Sequence, residues 1–249
     1  MPERAAALDL HHLRTALEAR FGPAILPQRI RSARDVFATG VAVLDGLLRG
    51  GVPRAALSVW TGTGTAGRTA ALRALVHHTC VSGGCVALVD SGLTLDAAFG
   101  CTSQGPLAGL WTVRPPTPAD GASAAWAADA LLRAGVFGLV IVDGAFPTGE
   151  QAAQLRKQAR NADAALVISA NRAEAGGLDS IRPDVRVEFG GGPVYGSGLL
   201  PCGRVRRRVR VRVLGAGIGE REQELELVHD PTDRLRAHPV AADRRSGER

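Results

Sequence analysis

Lysine is almost missing from this 249-residue chain. Lys157 is the single one among 30 basic residues, so positive charge here means arginine. Aromatic residues make up 4%, with one methionine and one tyrosine, which leaves alanine, valine and leucine to fill the core. No run approaches the roughly 18 consecutive apolar residues of a membrane helix, and the opening MPERAAALDLHHLR lacks the apolar stretch of a secretory signal. These absences predict a cytoplasmic protein with no membrane partner. The four cysteines, at 80, 85, 101 and 202, show no CxxC spacing, and are expected to be small buried side chains rather than zinc ligands or disulfides. His11–His12 and His77–His78 are adjacent pairs, which point apart on a helix instead of converging on a metal.

What is present is ordinary for a globular chain: 45% apolar and 22% charged residues, with length for one α/β domain and short appendages. The net charge of +6 and a pI of about 10.0 admit an acidic partner, nucleic acid or an acidic protein face. The same bias toward Ala, Arg, Gly and Val also follows from a GC-rich genome.

Residues 3–20 carry Leu8, Leu10, Leu13 and Leu17 at helical spacing, and FGPAILPQRIRSARDVFATG reads as a proline-punctuated linker. This assigns 1–36 to an amphipathic helix and linker, 37–230 to the core, and 231–249 to a basic tail too poor in large apolar residues to be structured. Within the core, helices are predicted over VAVLDGLL, 68–80, a short stretch near 95–100, 118–134 and 149–161. Apolar strands are predicted over AALSVW, 85–90, 110–114, 138–143 and 164–170. Their uninterrupted apolar character fits strands buried on both faces of a parallel sheet. VRVEF (185–189), RVRRRVRVRVL (204–214) and REQELELV (221–228) alternate strictly instead, as antiparallel strands do. The last two are joined by GAGIG, and a turn centred near Gly217 sets Arg212 against Glu222, Arg210 against Glu224 and Arg208 against Glu226. The arginine run is therefore read as a ladder of cross-strand ion pairs rather than a nucleic-acid surface.

The stretch TGTGTAGRT lies between a strand and a helix and has the form G-x-x-x-x-G-K-[ST] at every required position except one. Gly62, Thr63, Gly64, Thr65, Ala66 and Gly67 match a phosphate-cradling loop, Thr69 supplies a hydroxyl for magnesium, and Arg68 stands where lysine is required. A guanidinium is a wide planar fork and cannot replace a slim ammonium in so crowded a place. Asp143, ending the apolar run GLVIVD, is the matching candidate for holding magnesium through water; together with Thr69 it would ligate metal only if nucleotide were bound.

FATGVAVLDGLLRGGVPRAALSVWTGTGTAGRTAALRAL resembles the opening of the RecA core, CVALVDSGLTLDAAF its next block and VFGLVIVDGA its magnesium-binding strand, a likeness covering residues about 37 to 190. The resemblance implies a RecA-like P-loop core of class α/β: a mainly parallel central sheet flanked by helices, extended here by C-terminal antiparallel strands. It also implies that a glutamate should activate water two residues after Asp90, where this chain has Gly92, and that Asp96 and Phe99 match an adenine pocket. With both Arg68 and Gly92 out of pattern, no catalytic residue and no cofactor are expected, although ATP with magnesium is the group the ancestral loop would take. The DNA-binding loops of RecA are shortened in DGAFPTGEQ and NRAEAGGLDSIRPD, so any DNA binding should be weak.

A truncated core of this kind is similar to the ImuA family of SulA-like RecA homologues. That resemblance implies a non-catalytic accessory role in SOS-induced translesion synthesis and mutagenesis. The implied partners are an ImuB-type Y-family polymerase homologue and, through the same complex, a C-family DNA polymerase subunit. The alternatives are a DNA-stimulated ATPase using Arg68, Thr69 and Asp143, or a nucleotide-independent DNA-binding protein using arginines such as Arg207.

Overall fold

Runs of β-branched and leucine residues too short for helices form the middle of a nine-stranded sheet, and the connections between them supply its covering helices. The computed structural model describes residues 36–63, 67–95, 97–102, 105–171, 180–195, 205–215, 218–229 and 235–239. The predicted helix over 3–20, Gly64, Thr65, Ala66, Asp96, most of the NRAEAGGLDSIRPD loop and the last residues of the tail lie outside them.

In chain order the elements are β1 (Val36–Phe37), α1 (Ala42–Leu47), β2 (Val52–Pro53), β3 (Ala56–Gly62), α2 (Arg68–Val81) and β4 (Val86–Asp90). A single 3-10 turn (Ala97–Gly100) and a two-residue hairpin, β5 (Cys101–Thr102) with β6 (Gly105–Pro106), follow. Then come β7 (Leu110–Val113), α3 (Gly121–Ala134), β8 (Leu139–Asp143), α4 (Gly149–Ala162), β9 (Ala165–Asn171), β10 (Val185–Tyr195), β11 (Val205–Gly215), β12 (Gly219–His229) and β13 (Leu235–Pro239). The large sheet has the order β13-β12-β11-β10-β3-β9-β8-β4-β7. From β10 to β7 all neighbours are parallel, and from β10 outward to β13 all are antiparallel.

The parallel part is sandwiched. On β8, Leu139 and Ile141 enter one core cluster while Val140 and Val142 enter the other, and β9 divides Ala165 and Val167 from Leu166 and Ile168 in the same way. Leu44 and Leu47 of α1 and Leu72, Leu75 and Val76 of α2 close the first cluster. Alanine-rich α3 and α4 close the second with Leu131, Leu132 and Leu155. The scarcity of aromatics is met by small residues that let these helices lie close to the sheet.

Two local devices fix the helix starts. The Thr39 backbone N–H and hydroxyl both donate to Asp45 Oδ1, at 2.6 and 2.7 Å, tying the segment before α1 to its first turn. Thr148 and Gln151 form a reciprocal capping box at α4. At the junction between the two kinds of sheet, Asp184 accepts the Leu57 N–H at 3.0 Å and the Arg156 Nε–H at 2.9 Å, while its own N–H donates to Leu57. The start of β10 is thereby fastened to β3 and α4 together.

The tail departs from expectation at one place. Leu235–Pro239 is a strand paired with Leu225–His229, where composition predicts no structure. The unpaired backbone edge of β12 explains this: a strand that supplies N–H and C=O partners to an edge needs little side-chain burial of its own. The hairpin register is as the sequence predicts, with Arg212 opposite Glu222, Arg210 opposite Glu224 and Arg208 opposite Glu226. The ion pairs follow it only in part. Arg210 reaches Glu224 at 3.3 Å and also Glu222 at 3.2 Å, whereas Arg212 pairs with Glu220 at 2.6 Å instead of its opposite Glu222. Sheet twist and the length of the arginine stem bring diagonal carboxylates within reach.

Candidate functional site

At the carboxyl ends of β3, β8 and β4 the chain departs to opposite faces of the sheet: α2 leaves β3 toward the first cluster and α4 leaves β8 toward the second. Clefts of α/β sheets lie where connections part in this way. The sheet order puts β9 between β3 and β8, so the carboxyl end of β3 and Asp143 are separated by one intervening strand.

Asp143 and Asp90 end adjacent strands in register, and both are buried. Buried carboxylates need partners, because desolvation disfavours the charged form. Ser169, opposite Asp143 on β9, donates its hydroxyl to Asp143 Oδ1 at 2.6 Å. Arg68 Nη2 lies 3.7 Å from the same oxygen, with the two side chains 14% and 2% exposed. That distance exceeds a hydrogen bond, so the contact is a Coulombic one. The second guanidinium nitrogen, Nη1, is buried with no hydrogen-bond partner among the described residues. Asp90 is held by Arg114, whose Nε donates to Oδ2 at 3.2 Å and whose Nη2 donates to the Leu95 carbonyl, while the Thr94 N–H donates to Oδ1. Each acid thus faces an arginine.

The backbone closes tightly around the pair. The Ser91 and Gly92 N–H groups donate to the Asp143 carbonyl at 2.9 and 3.3 Å, and the Gly144 N–H donates to the Ser169 carbonyl at 2.9 Å. Gly144 has φ of +86°, and a Cβ there would lie 2.5 Å from the Gly92 nitrogen, so only glycine fits. A Cβ on Gly92 would stand 3.3 Å from Gly144 Cα, a slightly tight contact, and 3.4 Å from Thr94 Cγ2, an ordinary one.

Of the residues singled out from sequence, Gly62 ends β3 buried, Thr63 follows it exposed, and Gly67 precedes α2 with φ of +82°. Arg68 opens α2 and turns to Asp143, whereas Thr69 is exposed. Phe99 is packed with Leu95 in the cluster beneath α1 and α2. Ser169 and Arg114 were missed by sequence reasoning. Their signal was faint: a hydroxyl inside the apolar run AALVISA, and a charge closing LWTVR.

Among the described residues no group of three or more His, Cys, Asp and Glu side chains could hold a metal, and no helix is long and apolar enough to cross a membrane. Burial pushes the Cys80 thiol up to about 12, with Cys85 nearby adding to the effect, and burial raises Cys85 as well; neither is poised as a nucleophile at neutral pH. No protein-family model matches the chain, and no curated protein resembles it significantly in sequence.

Proposed function

We propose that this chain is a non-catalytic, RecA-like adaptor of SOS-induced translesion synthesis, an ImuA-type protein that binds an ImuB-type Y-family polymerase homologue and, through it, a C-family polymerase subunit. The observation that carries the non-catalytic reading is the position of Arg68, whose guanidinium faces the one carboxylate a nucleotide-bound magnesium would need.

Magnesium with ATP does not fit these side chains. Mg²⁺ requires oxygen ligands at about 2.1 Å and keeps most of its waters, so a guanidinium 3.7 Å from Asp143 Oδ1 competes for the same space with the same sign of charge. Thr69, the other expected ligand, is exposed while Asp143 is buried. At position 92 there is no carboxylate to take a proton from water. The α/β architecture and the glycine-rich turn between β3 and α2 support the RecA-like reading. The partner assignment rests on the resemblance of residues 37 to 190. RecA cores associate by docking a helix and a strand on a neighbouring core, and such a surface does not depend on hydrolysis.

The arginine ladder favours a protein partner over DNA. Arg210 and Arg212 are engaged by Glu220, Glu222 and Glu224, which leaves these two little net charge to offer phosphates. The test has two arms on the full chain. Calorimetric titration with ATP and magnesium should give no saturable heat, and immobilised protein should retain the RecA-like segment of an ImuB-type partner. Micromolar nucleotide binding would overturn the non-catalytic reading, and failure to retain the partner would overturn the adaptor.

A further inference from the structure

We propose that Arg68 is a permanent internal replacement for the divalent cation: its guanidinium neutralises Asp143 and ties the first turn of α2 to the end of β8, so that this corner of the fold is complete without ligand.

The inference starts from the energetics of a buried acid. Asp143 is almost wholly removed from water, and Ser169 satisfies part of it with a neutral hydrogen bond. A hydroxyl does not neutralise charge, and a carboxylate at such burial is retained only with a counter-charge. Arg68 supplies one from α2, the helix that follows β3, a strand separated from β8 by β9. It is a costly way to do so, because the guanidinium is itself 86% buried (100% less the 14% exposed) and Nη1 has no hydrogen-bond partner among the described residues. A side chain drawn in so far, at the cost of one unsatisfied donor, is being held by the carboxylate. The N-terminus of α2 adds no side-chain cap: Gly67 makes none, and no acidic residue lies in the first turn. A cation at the first position of a helix is opposed by the helix dipole, so Arg68 is kept there by its carboxylate and not by the helix.

The consequence is specific. If the guanidinium stands in for a metal, its removal should take this counter-charge from the buried Asp143 carboxylate, and a divalent ion should partly restore it. The inference deepens the non-catalytic reading of this site but is decided separately from it, because it concerns unfolding rather than nucleotide or partner binding.

The experiment is thermal unfolding of the full chain as wild type, Arg68→Met, Asp143→Asn and the double variant, each with and without millimolar magnesium chloride. Wild type should be indifferent to magnesium. Arg68→Met should melt several degrees lower and recover part of that loss with magnesium, and the double variant should lose less than the sum of the single losses and ignore the metal. Additive losses overturn the tether. Coupled losses with no magnesium response in Arg68→Met reduce the contact to an ordinary ion pair and overturn the replacement, as does a response that persists in the double variant. Should Arg68→Met fail to fold, the double variant decides: folded, it supports the proposal; unfolded, it overturns it. A wild type that binds ATP would sink the non-catalytic function while leaving these melting results as they stand.

Discussion

The parallel and antiparallel halves of this sheet solve burial in different ways. In β8 and β9 every residue from Leu139 to Val142 and from Ala165 to Ile168 is buried, because helices cover both faces. Among the described side chains of β11 and β12, alternate ones from Arg208 to Val213 are buried on β11 and Leu225 alone is buried on β12. Val209, Val211, Val213 and Leu225 enter the core, while Arg208, Arg210, Glu222 and Glu224 stand on the other face, with Arg210 engaging both glutamates. The same backbone arrangement therefore carries two different amounts of information per residue. A covered strand admits a polar side chain on either side only where it is buried with a partner, as Ser169 is, whereas a strand covered on one side tolerates change at every second position.

The comparison breaks most sharply at the isoleucines. Ile141 and Ile168 belong to opposite core clusters. Truncating either to alanine should cost about 2–5 kcal/mol in chemical denaturation, because each removes buried methyl groups and leaves a cavity under close-packed helices. On β11 the same measurement should separate neighbours: Val211→Ala should cost about 2 kcal/mol, and Arg210→Ala no more than about 0.5 kcal/mol, since its ion pairs are largely solvent-exposed. Equal costs at 210 and 211 would mean that something else covers the charged face.

That contrast also explains what the sequence alone can tell. Strand positions were readable because GLVIVD and AALVISA are too apolar and too short to be anything else in this setting. The ladder register was readable because one turn centre determines every opposite pair. Strand order was not, since nothing in local composition says that β9 separates β3 from β8. The site suffered from the same limit. Arg68 could be recognised as the wrong residue for phosphate, but its attachment to Asp143 depends on that order. Ser169 and Arg114 become meaningful only once their strands lie beside Asp143 and Asp90. Arg212 shows the complementary failure: its opposite residue was predictable, its actual partner Glu220 was not, because twist and side-chain reach are properties of the assembled sheet.

The seam between the two halves should be the next most sensitive place. Asp184 holds β10 to β3 through the Leu57 N–H and to α4 through Arg156 and Arg160. Asp184→Ala leaves a backbone donor and two arginines without their acceptor, and an expected loss of about 1.5–3 kcal/mol follows from hydrogen bonds to a charged group that is only partly screened. Asp184→Asn keeps one acceptor for Leu57 and should lose less. If the two variants are equal, the charge and not the backbone bond is what joins the halves.

The smallest effect concerns α3, which covers the parallel half alone. Its N-cap, Asp120, accepts from the Ser123 hydroxyl and from the Ser123 and Ala122 N–H groups. Chiefly the Ser123 hydroxyl, then these backbone donors, hold the Asp120 carboxyl below its usual range. A carboxyl lowered in the folded state contributes stability that is present above its unfolded pKa and fades as pH falls through its lowered folded value. Asp120→Asn preserves an acceptor but not the charge, so wild type should melt above the variant at neutral pH, and the difference should shrink toward zero as acid protonates the carboxylate. A helix that covers the charged half instead would leave the ladder pairs to dominate any acid response. Here the difference between wild type and Asp120→Asn should be the same with Arg210→Ala in the background as without it, because α3 packs on β8 and β4, which β9, β3 and β10 separate from the ladder on β11 and β12, and the two sites share no partner.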